Sequence, residues 1–207
     1  MDSSKILFWN VDTQIDFVMP EGKLYVPGAE LLRTTWEKIT ELAKQKNIHV
    51  VNTADFHYPG SAELSSNPDF INTFPEHCMA NTDGSDYVPE TNPVNPLIID
   101  WDREYSVSED ILKSRNLLIR KDAFDVFKGN PYTDSILKII APSTVVVYGV
   151  TTNVCVNDAV VGLAKRVGKV YVVEDAIKEL PNIPLPFKNW ESLGVELVKL
   201  EDLYEIV

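Results

Sequence analysis

Three side chains with complementary acid–base chemistry stand at the ends of apolar segments that have the length of β-strands. Asp12 directly follows one such segment, Lys121 comes after another and is separated from it by Arg120, and Cys155 comes six residues after Gly149, at the start of a helical pattern. Parallel strands present their carboxyl ends at one edge of a sheet, so a carboxylate, an amine and a thiol are expected to meet there. A thiolate beside a cation and a helix N-terminus is a nucleophile, and a carboxylate can accept and return its proton.

Each of these residues has a simpler interpretation when it is considered alone. A lone cysteine is more often inert packing, an aspartate after a strand more often belongs to a turn, and a lysine more often lies in solvent. Together they predict nucleophilic catalysis by Cys155, with Lys121 stabilising the thiolate and Asp12 as the general acid–base. The pKa of the Cys155 thiol is expected to lie well below that of a free thiol. Free N–H groups at the helix start are expected to hold an oxyanion.

A second group of reactive residues lies in the segment after the second apolar run. Asp55 and His57 are two residues apart on an extended segment, which directs their side chains to the same side. Glu63 and His77 follow in the same long segment. Two imidazoles and two carboxylates suit a divalent ion such as Zn, Mn or Fe. A hydrogen-bonded polar loop that holds no ion is the alternative.

The elements that must position these residues alternate between strand and helix patterns. Continuous runs of Val, Ile and Leu predict buried strands at Ile6 to Val11, Ile48 to Thr53, Leu117 to Ile119, Thr144 to Tyr148, Val170 to Val173 and Val195 to Leu200. Such runs are typical of parallel strands that helices cover on both faces. The alternation predicts the α/β class, as an open three-layer α/β/α sandwich with right-handed crossovers.

Helical periodicity lies between the strand runs. Apolar residues at steps of four, three and four share one helix face in residues 32–43, and residues 132–140 and 153–166 predict two more helices. Residues 54–96 are a long polar segment, and a loop of this length in a compact domain is usually functional. Three prolines in residues 181–190 predict that a helix before the last strand is short or irregular.

The charge balance narrows the classes of partner. The chain carries 31 acidic and 19 basic residues, which gives a net charge of −12. A surface this acidic repels phosphate backbones and anionic lipid heads, so neither nucleic acid nor membrane is expected as a partner. The apolar runs are much shorter than the roughly 20 residues of a membrane helix. We expect a cytoplasmic protein, because the N-terminus has no signal-peptide pattern and two cysteines make no disulfide framework.

Several motifs occur along the chain in the order in which they occur in one known family. They are Asp12-x-Gln14-x-Asp16-Phe17, Thr53-Ala54-Asp55-Phe56-His57, Pro75-Glu76-His77-Cys78, Lys121 and Gly149-x-x-Thr152-x-x-Cys155-Val156. With them, about residues 5–175 resemble the isochorismatase-like cysteine hydrolase superfamily, and specifically its nicotinamidase branch. The resemblance implies a single domain over residues 1–207, with a mainly parallel, flavodoxin-like sheet of about six strands.

The chemistry that the resemblance implies is the hydrolysis of nicotinamide or a close heteroaromatic amide through a thioester. The triad is Asp12, Lys121 and Cys155, and the oxyanion rests on the N–H groups of Thr151 and Cys155. The peptide bond between Val150 and Thr151 is expected to be cis. A small-molecule amide is the expected partner, and assembly into a homo-oligomer is an open option.

The resemblance also implies a divalent metal ion, Zn, Mn or Fe, and no organic cofactor. Its ligands are expected to be Asp55, His57, Glu63 and His77. The ring of the substrate is expected to lie between aromatic walls supplied by Phe17, Phe74 and one of Phe124 or Phe127.

Some residues depart from the pattern of the family. Ile15 replaces an asparagine, Glu63 stands where histidine is usual, and Val154 replaces a residue that is often polar. Residues 91–116 are longer than the usual link, and residues 181–190 are unusually rich in proline. An N-carbamoyl amino acid amidase, an isochorismatase-type vinyl ether hydrolase and a non-catalytic flavodoxin-like binding module are the alternatives. The first two generally lack the metal set, and the third has no need of the triad.

Overall fold

The computed structural model describes residues 5–207, and a sheet of seven parallel strands organises them. The strands are β1 (Ile6–Val11), β2 (His49–Asp55), β3 (Leu97–Ile99), β4 (Asn116–Lys121), β5 (Thr144–Val150), β6 (Lys169–Lys178) and β7 (Glu196–Val198). Their order across the sheet is β3-β4-β2-β1-β5-β6-β7, and every neighbouring pair is parallel. β1 therefore lies at the centre, with β2, β4 and β3 on one side and β5, β6 and β7 on the other.

Helices connect the strands and cover both faces of the sheet. They are α1 (Ile15–Val18), α2 (Arg33–Gln45), α3 (Val126–Gly129), α4 (Thr133–Ile140), α5 (Cys155–Ala164), α6 (Phe187–Ser192) and α7 (Leu200–Ile206). Single 3-10 turns lie at Ala29–Leu32, Asp83–Ser85 and Glu109–Lys113. Among these helices, none combines the length and the apolar character that crossing a lipid bilayer requires.

The core consists of two layers, one on each face of the sheet. Side chains alternate along β1, so Leu7 and Trp9 point into the layer beneath α3, α4, α5 and α6. Ile6 and Phe8 point into the opposite layer, beneath α1, α2 and α7. All six residues of β1 are buried. This burial on both faces explains why the strand reads as a continuous apolar run in the sequence.

The predicted class is confirmed, with one strand more than expected. The additional strand is β3, three residues long, which lies at the sheet edge inside the segment 91–116. It gave no periodic signal because it is short and only its third residue, Ile99, is buried. The proline-rich segment 181–190 leads into α6, which has only six residues, as predicted. Two further differences are that the last strand is shorter than expected and that α7 follows it.

Candidate active site

The carboxyl ends of four adjacent strands form the candidate site. The chain passes from β1 to β2 on one side of β1 and later crosses from β4 to β5 on its other side, and such a switch point opens a crevice in parallel sheets. Asp12 follows β1, Asp55 ends β2 and Lys121 ends β4. Asp55 and Lys121 are direct partners in the register of β2 and β4, so their side chains leave the sheet side by side. α5 begins at Cys155, four residues beyond the end of β5.

Lys121 lies at the centre of this group and is almost completely buried. Its Nζ is 3.0 Å from Asp12 Oδ2 and 3.8 Å from Cys155 Sγ, and it donates a short hydrogen bond to Asp55 Oδ1. One side-chain oxygen each of Asp12 and Asp55 and the sulfur of Cys155 all lie within 4.8 Å of one another. The structure thus brings together the carboxylate, amine and thiol that the sequence places far apart.

The charges of the group explain how a lysine can be buried here. Burial alone would lower the pKa of Lys121, but the carboxylates of Asp12 and Asp55 raise it well above its usual value. Burial would raise the pKa of Asp55, but Lys121 and the nearby histidines hold it below its usual range. For Asp12, burial outweighs Lys121, and its pKa is raised. A raised pKa suits a carboxyl group that has to take up and release a proton.

The prediction that the pKa of the Cys155 thiol is lowered is wrong. Burial, with smaller contributions from the carboxylates of Asp12, Asp55 and Glu63, raises the pKa of the thiol well above its usual value. Lys121 lowers it but does not compensate. The sequence placed a cation beside the thiol, but it gave no measure of the depth of burial or of the carboxylates that already neutralise that cation. The resting thiol is therefore protonated at neutral pH.

Two residues of the pocket lining near the start of α5, Thr151 and Cys155, have backbone N–H groups without an acceptor among residues 5–207. Within residues 5–207, neither Thr151 nor Cys155 donates its N–H in a hydrogen bond. Thr152, between them, donates its N–H to the carbonyl of Lys178. The peptide bond between Val150 and Thr151 is cis, as the resemblance implies. The two free N–H groups have the chemistry that stabilises a tetrahedral oxyanion.

Asp55, His57 and His77 form a group that can hold a metal ion. One ligand atom of each lies within 4.8 Å of the others, and all three side chains are buried. The distance to Asp55 Oδ2 is 4.0 Å from His57 Nε2 and 3.7 Å from His77 Nε2. His57 Nε2 is buried and has no hydrogen-bond partner in the part of the chain that the structure describes. Burial lowers the pKa of His57, which favours the neutral imidazole that a metal requires. These residues therefore fit a divalent ion.

Glu63 lies beside this group, but outside the set whose ligand atoms are all within 4.8 Å of one another. Its Oε1 accepts a hydrogen bond of 2.5 Å from the N–H of Phe124, and its Oε2 is buried without a partner among residues 5–207. Burial, together with the charge of Asp55, raises the pKa of Glu63 to about 8. A buried carboxylate oxygen without a partner is what an approaching cation would satisfy. Its role as a fourth ligand stays a prediction.

An apolar pocket covers Cys155. Its lining includes Phe17, Phe74 and Phe124, which the sequence proposed as aromatic walls, and also Leu24, Val154 and Leu180, which it did not. Only about 10 Å³ of free space remains inside, room for one water molecule at most. An aromatic amide can therefore enter only if some of these side chains move.

Phe127 does not line this pocket. It stacks on Trp9 at a centroid distance of 6.1 Å and lies against Gly162 of α5, so it belongs to the core beneath the helices. Of the two alternatives in the sequence, Phe124 is thus the residue at the pocket. The two residues are three apart around the start of α3, and only the path of that turn separates their environments.

A larger cleft lies outside the pocket. It has a volume of about 920 Å³ and shares Leu24, Phe74, Phe124, Val154 and Leu180 with the pocket. Its outer walls come from Phe70 and Ile71 on one side and from residues 181–184 on the other. Five apolar side chains therefore separate the cleft from the thiol.

Two residues that position others at the site, Gln14 and Asp122, were not predicted from the sequence. Gln14 accepts the N–H of Asp55 and donates to its carbonyl oxygen, both at 2.8 Å, so it fixes the backbone at the end of β2. Its place in the opening motif was the available signal. Asp122 lies 2.7 Å from Nδ1 of His57. It follows Lys121 directly, and the alternation of side chains on an extended segment turns it away from the lysine.

Comparison with known proteins places the chain in a family. A family model described as the isochorismatase domain matches residues 6–182. The nicotinamidase/pyrazinamidase of Mycobacterium tuberculosis is 35% identical over 79 residues, which are 38% of this chain and 41% of that protein. The matched region thus spans less than half of that relative.

Solved structures share the fold. The N-carbamoylsarcosine amidase from Thermoplasma acidophilum superposes with a TM-score of 0.72 at 23% identity, covering 95% of this chain and 97% of that one. The pyrazinamidase of Pyrococcus horikoshii in complex with zinc superposes with a TM-score of 0.71 at 24% identity, covering 94% and 99%. At these identities the likeness concerns the architecture. Because the isochorismatase domain model matches most of its length, the chain belongs to the isochorismatase family.

Proposed function

We propose that the protein is a metal-dependent cysteine amidohydrolase that converts nicotinamide, or a close heteroaromatic amide, into the acid and ammonia. One observation carries the proposal. Cys155, Lys121 and Asp12 meet at the edge of the sheet where Asp55, His57 and His77 gather their ligand atoms. A nucleophile with an acid–base partner therefore lies directly beside a site that suits a divalent ion.

The first half of the reaction forms a thioester. Asp12 takes the proton of the Cys155 thiol as the sulfur attacks the carboxamide carbon, and the carbonyl oxygen becomes an oxyanion held by the N–H groups of Thr151 and Cys155. Lys121 stays charged and compensates the negative charge that the step creates. Asp12 then returns the proton to the amide nitrogen, the C–N bond breaks, and ammonia leaves.

The second half returns the free enzyme. Asp12 takes a proton from a water molecule that attacks the thioester carbon, and the same two N–H groups hold the oxyanion. The C–S bond breaks, the acid leaves and the sulfur regains its proton. Asp55, His57 and His77 would hold the metal ion, which would supply a Lewis acid for the pyridine nitrogen of the substrate. Phe17, Phe74 and Phe124 would then flank the ring.

The names of similar proteins support this choice of substrate. The relative from Mycobacterium tuberculosis is a nicotinamidase/pyrazinamidase, and the structure from Pyrococcus horikoshii is a pyrazinamidase in complex with zinc. The group of buried histidines favours this branch over N-carbamoyl amino acid amidases, which are expected to do without the metal.

Ammonia release from a panel of amides tests the activity. Nicotinamide, pyrazinamide, benzamide and an N-carbamoyl amino acid are compared with the wild-type protein and Cys155→Ala. We expect turnover of the heteroaromatic amides by the wild type alone, and a full complement of metal in Cys155→Ala by mass spectrometry. Release from the N-carbamoyl substrate alone would contradict the proposal and favour the other branch.

Metal stoichiometry beside steady-state kinetics tests the fourth ligand. We expect Glu63→Ala to lower metal occupancy and raise KM for nicotinamide, and Glu63→His to restore binding with a shift toward zinc, because imidazole is the softer ligand. Glu76→Ala is the control, because Glu76 neighbours His77 in the chain but pairs with Lys23 in solvent. Unchanged occupancy and kinetics in Glu63→Ala would remove Glu63 from the ligand set.

A further inference from the structure

The two histidines of the candidate metal group are held in different ways. Nδ1 of His77 lies 2.7 Å from the carbonyl oxygen of Pro75, a backbone group that no substitution removes. Nδ1 of His57 lies 2.7 Å from Asp122 Oδ1 and 3.1 Å from Ser61 Oγ, which are both side chains. The orientation of His57 therefore depends on side chains that a substitution can remove.

The partner of His57 also decides which ring nitrogen carries the proton. An ionised carboxylate has only acceptor atoms, so Nδ1 of a neutral imidazole beside it must be the protonated nitrogen. Nε2 is then left with its lone pair, and this is the buried atom that faces Asp55 without a partner among residues 5–207. The tautomer that Asp122 imposes is the one that presents Nε2 as a ligand.

The position of Asp122 in the fold makes this contact reproducible. Its N–H donates to the carbonyl of Gly129 at 3.3 Å, which ties the residue after β4 to the last residue of α3. A side chain at Gly129 would meet the backbone N of Ala123 at 2.8 Å, so this loop is tightly packed. The Asp122 side chain is 21% exposed, whereas the His57 side chain is completely buried. The carboxylate thus reaches inward from a fixed turn.

We propose that Asp122 is a positioning residue for the metal site, which holds His57 in the Nδ1–H tautomer and aims Nε2 at the ion. The inference rests on the proposed function only in that it takes His57 as a ligand. Lys121 and Asp122, at the end of β4, then have separate roles. The lysine serves the thiol and the two aspartates, and the next residue serves the metal.

Zinc affinity of the apoprotein tests the inference without any substrate. The dissociation constant for Zn²⁺ is measured by chelator competition for the wild type, Asp122→Ala and Asp122→Asn. We expect Asp122→Ala to bind zinc about 10–100-fold more weakly, which is the usual cost of losing such an outer partner. Asp122→Asn should lose less, because its amide oxygen still accepts the Nδ1–H but carries no charge.

Asp125→Asn is the matched control. Asp125 lies in the same turn, its side chain is 22% exposed, and its partners are the N–H of Phe127 and Lys128. The substitution removes the same charge, and asparagine still caps α3. Zinc affinity of this variant should equal that of the wild type. Thermal unfolding of the apoproteins identifies a purely structural effect, which would lower stability without a selective loss of zinc.

Long-range ¹H–¹⁵N NMR of the metal-free protein reads the tautomer directly. We expect the wild type to show His57 protonated at Nδ1 and Asp122→Ala to lose this preference. Wild-type zinc affinity in Asp122→Ala, or a wild-type His57 protonated at Nε2, would overturn the inference. If Asp122→Ala does not fold, Asp122→Asn and the wild-type spectrum still decide. Absence of amide turnover by the wild type would overturn the proposed function alone.

Discussion

The ammonium group of Lys121 lies close to two carboxylates and one thiol, and this arrangement affects the pKa of Cys155. Two buried carboxylates contact the ammonium group, and the sulfur is 3.8 Å from it. The two carboxylates thus compensate most of the positive charge of Lys121, which stabilises the Cys155 thiolate too weakly to offset burial. In the proposed reaction the thiol stays protonated until a substrate arrives, and Asp12, whose pKa is raised, takes the proton.

The rate at which iodoacetamide alkylates Cys155 should rise with pH to a midpoint above that of a free thiol, because the pKa of Cys155 is raised. Asp12→Asn removes one of the charges that raise this pKa and should lower the midpoint. Lys121→Met removes the charge that lowers it and should raise the midpoint. Peptide mass spectrometry assigns the modified residue. A wild-type midpoint at or below about 8.5, the value of a free thiol, would contradict this account.

The end of β5 depends on a glycine because two strands approach each other there. Gly149 has a φ of +122°, and a Cβ at this position would lie 2.0 Å from the carbonyl oxygen of Val11 in β1. The residue thus combines a backbone conformation that L-residues avoid with a contact between backbones that cannot yield. It allows the chain to leave β5 toward Thr151 and the start of α5.

Gly149→Ala should cost roughly 4 kcal/mol or more of the free energy of unfolding, since strain and a backbone clash add. Gly194→Ala is the control, because Gly194 also has a positive φ, +73°, but no atom lies within 4 Å of its Cβ position. This variant should lose only about 1–2 kcal/mol, the cost of the left-handed conformation. Urea unfolding gives both values. Equal losses in the two variants would show that β1 moves away from the added methyl group.

The loop that carries Phe70 and Ile71 has a carboxylate that accepts hydrogen bonds from several of its backbone N–H groups. Asp69 accepts hydrogen bonds from the N–H groups of Ile71, Asn72 and Thr73, and these lower its pKa below the usual range. Because the folded-state pKa is lowered, the stabilisation is present above about pH 3.9 and is lost as the pH falls through the folded-state value. This loop forms one wall of the outer cleft.

Asp69→Ala should therefore increase amide hydrogen exchange in residues 69–74 at neutral pH, with little change in the melting temperature, because Asp69 is exposed. In the wild type, the protection of these amides should persist at pH 5 and decline below about pH 3.9. Asp102→Ala, at another exposed aspartate, is the control. Equal exchange in Asp69→Ala and the wild type would show that packing of Phe74, and not the carboxylate, holds the loop.

The net charge of −12 acts on the molecule as a whole. Carboxylates distributed over a compact surface repel one another, and salt reduces this repulsion by shortening the screening length from about 30 Å at 10 mM to about 8 Å at 150 mM. The melting temperature of the chelator-treated protein should therefore rise between these NaCl concentrations. Scanning calorimetry measures it.

A variant with Glu37→Lys and Glu104→Lys is the control for this effect. Both residues are exposed, and the exchange makes the net charge less negative without touching the core. The salt effect should shrink in the variant. A wild-type melting temperature that falls with added salt would mean that local ion pairs, such as the one between Arg33 and Glu90, outweigh the overall repulsion.

The sequence by itself determined the fold class and predicted most residues that the structure gathers at the candidate site. Strands buried on both faces are rich in apolar residues, so β1, β2 and β5 can be recognised in the sequence without tertiary information. Parallel strands end at one edge, so Asp12, Asp55, Lys121 and the start of α5 could be assigned to one crevice. β3 was not predicted because an edge strand of three residues with one buried side chain is too short to show a hydrophobic pattern.

Only the tertiary structure decided the electrostatics and the shape of the site. The raised pKa of Cys155 depends on burial and on distances among residues from four different segments, and no local pattern reports these. The choice of Phe124 over Phe127 for the pocket depends on the path of one turn. The contact between Asp122 and His57 joins residues 65 positions apart. Local sequence fixes which side chains an element presents, whereas distance, burial and charge compensation arise only when the elements pack.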